Sequence, residues 1–324
     1  MGKFWRAVPS FVPLPSLIAL AGLVLFLSLL NPRFFSIDNL VTIADQSAIP
    51  IVIVMGLTFV ILMGSIDLSV EGVVATGSMV AALLVANDRN DLNFGYWAFP
   101  IAMLAGAAIG LIAGLSVTRL RIPSFLATVA TGYIGLGVAE VLFGDEAKPR
   151  VKDPAITDLA LTTWAGLSKL TWLALVVFAV AFLVQQFTRF GRYAYAIGGS
   201  EEITKLSGVN VRLYRALAFI LAGALFGLAG AMFTARTGVG AVAAGEGQLF
   251  LTIAAVVIGG TLLTGGRGGV FHSLVGVLIM VSIANGMVLA DIDPLWQQIV
   301  QGAIVLVAVV ATMYSQRRRL RVVK

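Results

Sequence analysis

The chain contains no cysteine and a single histidine, and only 12% of its 324 residues are charged. Without cysteine there is no disulfide, no thiolate nucleophile and no sulfur-ligated metal site. One histidine removes most His-based metal centres and Ser-His-Asp hydrolase arrangements. Charge this sparse, beside 59% apolar residues and a mean hydropathy of +0.98, also excludes an ordinary soluble domain. A single water-facing core of this length cannot hide so much apolar surface. The net charge of +6 and pI near 9.8 do not by themselves point to nucleic acid, because a polytopic membrane protein that keeps its Lys and Arg on one side of the bilayer has the same excess.

What the sequence has in abundance is apolar runs of membrane-crossing length. They predict ten helices at 14–30, 41–63, 73–87, 97–118, 123–143, 166–187, 215–234, 249–264, 270–290 and 296–314, in one transmembrane domain covering 1–324. The expected fold is all-α, with the third and eighth spans short enough to be broken or partly re-entrant. The first run follows Lys3 and Arg6 but ends in Leu29, Leu30, Asn31 and Pro32 without a small-x-small cleavage pattern, so it reads as a span rather than a leader. With both termini inside, most of the 22 Lys and Arg fall in inner segments, Lys205 among them, while Asp153 falls outside. Glycines at four-residue spacing, Gly106, Gly110 and Gly114 and then Gly223 and Gly227, predict close helix packing.

Three segments interrupt the apolar pattern. In Gly64-Ser-Ile-Asp-Leu-Ser-Val-Glu-Gly72, Asp67 and Ser69 either cap the next helix or, with Glu71, line a pore or gate. The inner loop 188–215 contains Ser200 followed by Glu201, Glu202, Ile203, Thr204, Lys205 and Leu206 and then Gly208, which reads as a capped short helix docking on a partner protein; a solvated loop is the alternative. The third segment runs from Gly259 and Gly260 to Gly268 and Gly269. Its spacing lacks the Gly-Lys-Ser/Thr of a phosphate loop, so no nucleotide site is expected there. Asp45, Gln46 and Asn285 are polar positions within or beside apolar spans, and they either line a water-filled path or pair with one another.

The segments MGLTFVILMGSIDLSV (55–70), RIPSFLATVATGYIGLG (121–137), GRYAYAIGGSEEITKLSGVNV (191–211), AAVVIGGTLLTGGRGGV (254–270) and WQQIVQGAIVLVAV (296–309) resemble, in order, the permease subunits of bacterial ABC importers of the ribose, xylose and autoinducer-2 type. The resemblance implies a type II importer-like permease in the bacterial inner membrane, multi-pass, with both termini cytoplasmic. It also implies a second permease copy or a homologous permease, cytoplasmic ATPase subunits that carry ATP and Mg, and a periplasmic solute-binding protein. No cofactor is expected in this chain and no nucleic-acid partner. Glu202 to Gly208 looks like the family's coupling helix, with Ile203 and Thr204 in place of two alanines, so Glu201, Glu202, Lys205 and Gly208 are the expected coupling residues. Two further departures stand out. Glu71 occupies a position that is usually glycine, and Gly245-Glu246-Gly247 is followed by Leu249 and Leu251 where acidic residues are common.

The expected function is passage of a small polar solute, a sugar or polyol, by alternating access and with no chemistry in this chain. The alternatives are an ion-coupled secondary transporter using Asp45, Asp67, Glu71 or Glu140, and an intramembrane hydrolase built on the isolated His272.

Overall fold

A computed structural model describes residues 12–293 continuously and, beyond them, only 296, 299, 300, 302, 303, 306 and 310. In chain order the helices are α1 (Leu14–Leu30), α2 (Ile37–Leu62), α3 (Val70–Leu83), α4 (Ala98–Thr118), α5 (Ser124–Phe143), α6 (Pro154–Leu161), α7 (Lys169–Phe187), α8 (Arg189–Gly199), α9 (Glu201–Leu206), α10 (Val211–Thr237), α11 (Gln248–Gly259) and α12 (Val270–Leu289). Seven of these, α2, α4, α5, α7, α10, α11 and α12, are long and apolar enough to cross a membrane, those of α4 and α11 with the short 3-10 turns before them. The first and third expected spans are the shorter apolar helices α1 and α3. The tenth, 296–314, lies outside the continuously described residues.

The fold is mostly helical, as expected, with one small addition among the described residues. Strands β1 (Thr163–Trp164) and β2 (Leu167–Ser168) form a small antiparallel ribbon, turned by Ala165 and Gly166, both at positive φ as a two-residue hairpin requires. Trp172 Nε1 donates to the Trp164 carbonyl at 2.9 Å, pinning the ribbon to α7, and the sixth helix therefore starts at Lys169 rather than 166. The eighth span also ends early, at Gly259, because Gly260 takes the left-handed conformation at φ +104°.

Helices α2 and α10 occupy the centre. The most apolar window of α2 is 89% buried, against 28% in α5 and in α7, which leaves α5 and α7 to face lipid or another chain. Lipid supplies no hydrophobic drive between helices, so close backbone packing and interhelical hydrogen bonds must hold the bundle. The glycine spacing delivers the packing as expected. A Cβ on Gly106 would meet the Gly223 carbonyl, one on Gly223 would meet the Gly106 carbonyl, and Gly110 faces Phe219 in the same way, so α4 and α10 are in backbone contact. Hydroxyl pairs do the rest: Thr58 with Ser273 at 2.6 Å joins α2 to α12, and Ser78 with Thr234 at 2.8 Å joins α3 to α10.

The bundle has two ends. One gathers residues 63–69, 119–123, 188–210 and 260–269 and is here the glycine end; the other gathers 31–36, 84–97, 144–168 and 238–241 and is the ribbon end. Two segments penetrate between them. Residues 65–69 climb along the first turns of α5, where Ile66 N donates to Ser124 Oγ at 3.1 Å and Leu68 N to Thr128 Oγ1 at 3.0 Å, before α3 begins. From the ribbon end, Ala241 N meets Ser78 Oγ at 3.2 Å, and Gly245 then lies against the Glu71 backbone, seven residues or about 10 Å further along α3. Both short helices, α3 and α11, thus start inside the bundle and beside each other, which accounts for their brevity.

Candidate functional site

The three interruptions that stand apart in the sequence are brought together at the glycine end. The end of α2 is tied to the glycine turn by Gly266 N donating to the Leu62 carbonyl at 2.9 Å. The α8 helix lies across both, because a Cβ on Gly198 would strike the Leu62 carbonyl and Gly266 N. Gly265, Gly266, Gly268 and Gly269 all have positive φ, a run of conformations that only glycine adopts without strain. Tyr195 Oη donates to the Gly268 carbonyl at 2.6 Å, and Gln185 Oε1 accepts from Val270 N at 2.7 Å. Burial pushes the Tyr195 hydroxyl up to about 12, so it remains a donor at any physiological pH.

On this platform stands α9. Its start is set by Ser200, whose hydroxyl accepts from Ile203 N at 3.4 Å, and its end by Gly208 at φ +82°, whose N–H returns to the Lys205 carbonyl. The inner loop is therefore more ordered than expected, with α8 packed on the core through Gly191, Ala194 and Ile197. The one inward residue of α9 is Thr204, which is buried. Glu201 pairs with Arg215 of α10 at 2.7 Å and with Lys205, and these contacts, Arg215 foremost, hold its carboxyl below the usual carboxylate range. Glu202 is exposed. The residues not singled out in the sequence are Ile203 and Leu206, 66% and 89% exposed on a helix otherwise dressed in charge. Two large apolar side chains are thus presented to the outside by a capped, ion-paired helix. Their signal was legible as apolar residues at i and i+3 in a charged segment.

The candidate path residues divide into three groups. Asp67 is fully buried and accepts from Ser69 N at 2.9 Å and Ser69 Oγ at 2.6 Å, holding the climbing segment in shape; Ser69 makes no side-chain cap on α3. Glu71 accepts from Gly247 N at 3.1 Å where the two short helices begin. The two sequence departures thus meet: Glu71 and Leu249 line one cavity of about 570 Å³ with Leu68, Gly132, Tyr133 and Glu246. Toward the ribbon end, Asp45 accepts from Ser168 N (3.2 Å), Ser168 Oγ (2.8 Å) and Thr171 Oγ1. Gln46 instead lines a cavity of about 250 Å³ with Arg236 and Gln248, whose buried Oε1 has no partner among the described residues. Asn285 is buried in α12, its Oδ1 likewise without a partner among them. Asp45, Gln46 and Asn285 make no hydrogen bond to one another.

Residues 39–309 match the family described as the permease component of the branched-chain amino acid transport system. The chain belongs to this permease family. It is 36% identical to the ribose import permease protein RbsC of Haemophilus influenzae over 308 residues, which cover 94% of each chain. It is 31% identical to the L-arabinose ABC transporter permease protein AraH of Azospirillum brasilense over 94% of this chain and 90% of that one. It is also 31% identical to the galactose/methyl galactoside import permease protein MglC of Escherichia coli over 94% of each. No solved structure matches. The protein is a transport subunit and not an enzyme, and the ion-coupled and hydrolase alternatives fall away.

Proposed function

We propose that this permease carries a sugar through the bacterial inner membrane in an ATP-driven importer, receiving it from a periplasmic binding protein. ATP and Mg reside on cytoplasmic ATPase subunits, and a second permease copy or a homologous permease completes the path. The glycine end is cytoplasmic, both termini lie on that side, and the span count is ten with 296–314 included.

The observation that carries this reading is α9, a short capped helix offering Ile203 and Leu206 outward from a braced platform. Glu201 and Lys205 fix its orientation through Arg215, Glu202 is free to meet the ATPase, and Gly208 provides the turn back into α10. When ATP draws the ATPase pair together, α9 is pulled, and α8 passes the displacement to the ends of α2 and α12 through Gly198 and the glycine turn. Interfaces packed backbone to backbone move as bodies rather than deform. The path is lined where the broken helices meet, by Glu71 with Asp67 and Ser69 behind it, and nearer the periplasm by Gln46, with Asn285 and Asp45 beside it.

The test is uptake into proteoliposomes that hold the permease and its ATPase, with the binding protein and labelled D-ribose, L-arabinose or D-galactose added outside. Uptake of one of these sugars requiring both ATP and the binding protein is the expected result. Uptake that follows an ion gradient in the absence of ATPase would overturn the reading.

A further inference from the structure

A crevice of about 650 Å³ opens at the glycine end between the α4–α5 corner and the start of α10. Four cations line it, Arg121, Lys205, Arg212 and Arg215, against a single carboxylate, Glu201, which is already engaged by Lys205 and Arg215. Cations gathered this closely beside an apolar bundle repel one another unless an anion joins them. Two further features show that the site is built and unfilled by protein. The Nε of Arg215 is buried with no partner among the described residues. Arg121 is held at φ +59°, a left-handed conformation that an arginine adopts only at some cost in strain, and one that the corner maintains while Arg121 lines the crevice. Ser65, Thr118 and Ser124 add hydroxyls to the lining.

The surroundings of the crevice select the kind of anion. Leu120, Ile122, Phe125 and Leu126, on the corner and the first turn of α5, are all exposed large apolar residues on one of the least buried helices of the bundle. A cationic cleft continuous with an exposed apolar surface at a helix corner matches a ligand with a phosphate head and acyl tails. We propose that this crevice binds the phosphodiester headgroup of an anionic phospholipid, whose tails lie along Leu120, Ile122 and Phe125. Because Lys205 and Arg215 belong to the ion pairs that orient α9, the bound lipid braces the docking helix against the α4–α5 corner.

The experiment uses the assembled transporter and the permease alone in nanodiscs of phosphatidylcholine with or without phosphatidylglycerol, and in detergent with 10 mM inorganic phosphate, for wild type, Arg121→Gly and Arg212→Gln. Lipid retained through detergent extraction is counted by native mass spectrometry, and thermal midpoints are recorded alongside. Arg121→Gly removes the charge and relieves the strained φ, so it should fold at least as well as wild type in neutral lipid. Retention of phosphatidylglycerol should fall about fivefold for each cation removed, and the thermal gain from anionic lipid should shrink in both variants. Equal retention by wild type and variants would overturn the proposal. So would full stabilisation by inorganic phosphate alone, which would make the crevice a free-phosphate site. Loss of lipid retention whenever the ATPase is bound would assign the cations to the protein partner instead.

Discussion

The two ends of the permease differ in how tightly backbone meets backbone. At the glycine end side-chain bonds from Tyr195 and Gln185 support joints in which backbone meets backbone: Gly198 on the Leu62 carbonyl, Gly266 N on the same oxygen, Gly64 beside the Thr264 carbonyl. At the ribbon end backbone links such as Val151 N to the Gly238 carbonyl at 2.8 Å are joined by many side chains acting on loops. Asp45 gathers Ser168 and Thr171, Asn87 Nδ2 donates to the carbonyls of Ala82 and Val85, and Arg89 reaches the carbonyls of Leu142, Ala147 and Glu146. Backbone joints have no rotamers to yield and pass displacement on, whereas side-chain joints can re-form with a loop in a new place. In the proposed importer, the end that passes on a pull and the end that opens to a delivered solute call for these different properties.

The comparison breaks most visibly at Gly198. Gly198→Leu has no space for its side chain and should lower stability by about 3 kcal/mol or more, measured by thermal unfolding in detergent. Gly208, on the same end but with open space around it, is the control. Gly208→Ala meets only the cost of a positive φ, about 1 kcal/mol.

Next in size is an effect on function without one on folding. Ile203→Asp with Leu206→Asp should leave the thermal midpoint within about 0.5 kcal/mol of wild type, since both positions are exposed. It should nonetheless cut ATP-driven uptake at least tenfold, on the order of the loss of one desolvated apolar contact. Undiminished uptake would move the docking surface elsewhere.

At the ribbon end, Asp45→Ala removes the acceptor shared by the Ser168 and Thr171 hydroxyls and the Ser168 N–H. A loss of about 1–3 kcal/mol is expected in the same unfolding assay. Gln46→Ala, whose side chain faces a cavity, should instead spare stability and reduce uptake.

The smallest effect is on pH dependence. Glu201 has a lowered carboxyl pKa, so its ion pairs stabilise the fold fully above its ordinary value of 4.5, and this contribution is lost as pH falls through the lowered value. Glu201→Gln should flatten the stability profile in that acid window and leave it parallel to wild type at neutral pH.

Much of this was legible in the chain itself. Apolar runs place the described spans to within about five residues, glycine spacing announces close packing without naming the α4–α10 pair, and Ser200 and Gly208 bracket α9. The three interruptions are each visible, but their meeting is not, because contact between residues 62, 198 and 266 depends on how helices pack and leaves no periodic trace. The ribbon at 163–168 escapes for a related reason: four strand residues inside an apolar stretch carry too little alternation to stand apart. Asp153 shows the limit at a single residue. Placed in an outer segment by the sequence, it has a side chain buried as the N-cap of α6, accepting from Ala155 N at 2.9 Å, so an accessible probe of the ribbon end belongs at Leu161, which is 76% exposed.

The central claim is that α9 seats in the ATPase through its two outward apolar residues, and the absence of native cysteine allows it to be tested at one atom. Leu206→Cys, labelled with a maleimide in permease alone and in the complete transporter, should react readily in the first and be protected at least tenfold in the second. Leu161→Cys should react equally in both. Equal labelling of Leu206→Cys with and without bound ATPase would contradict the account.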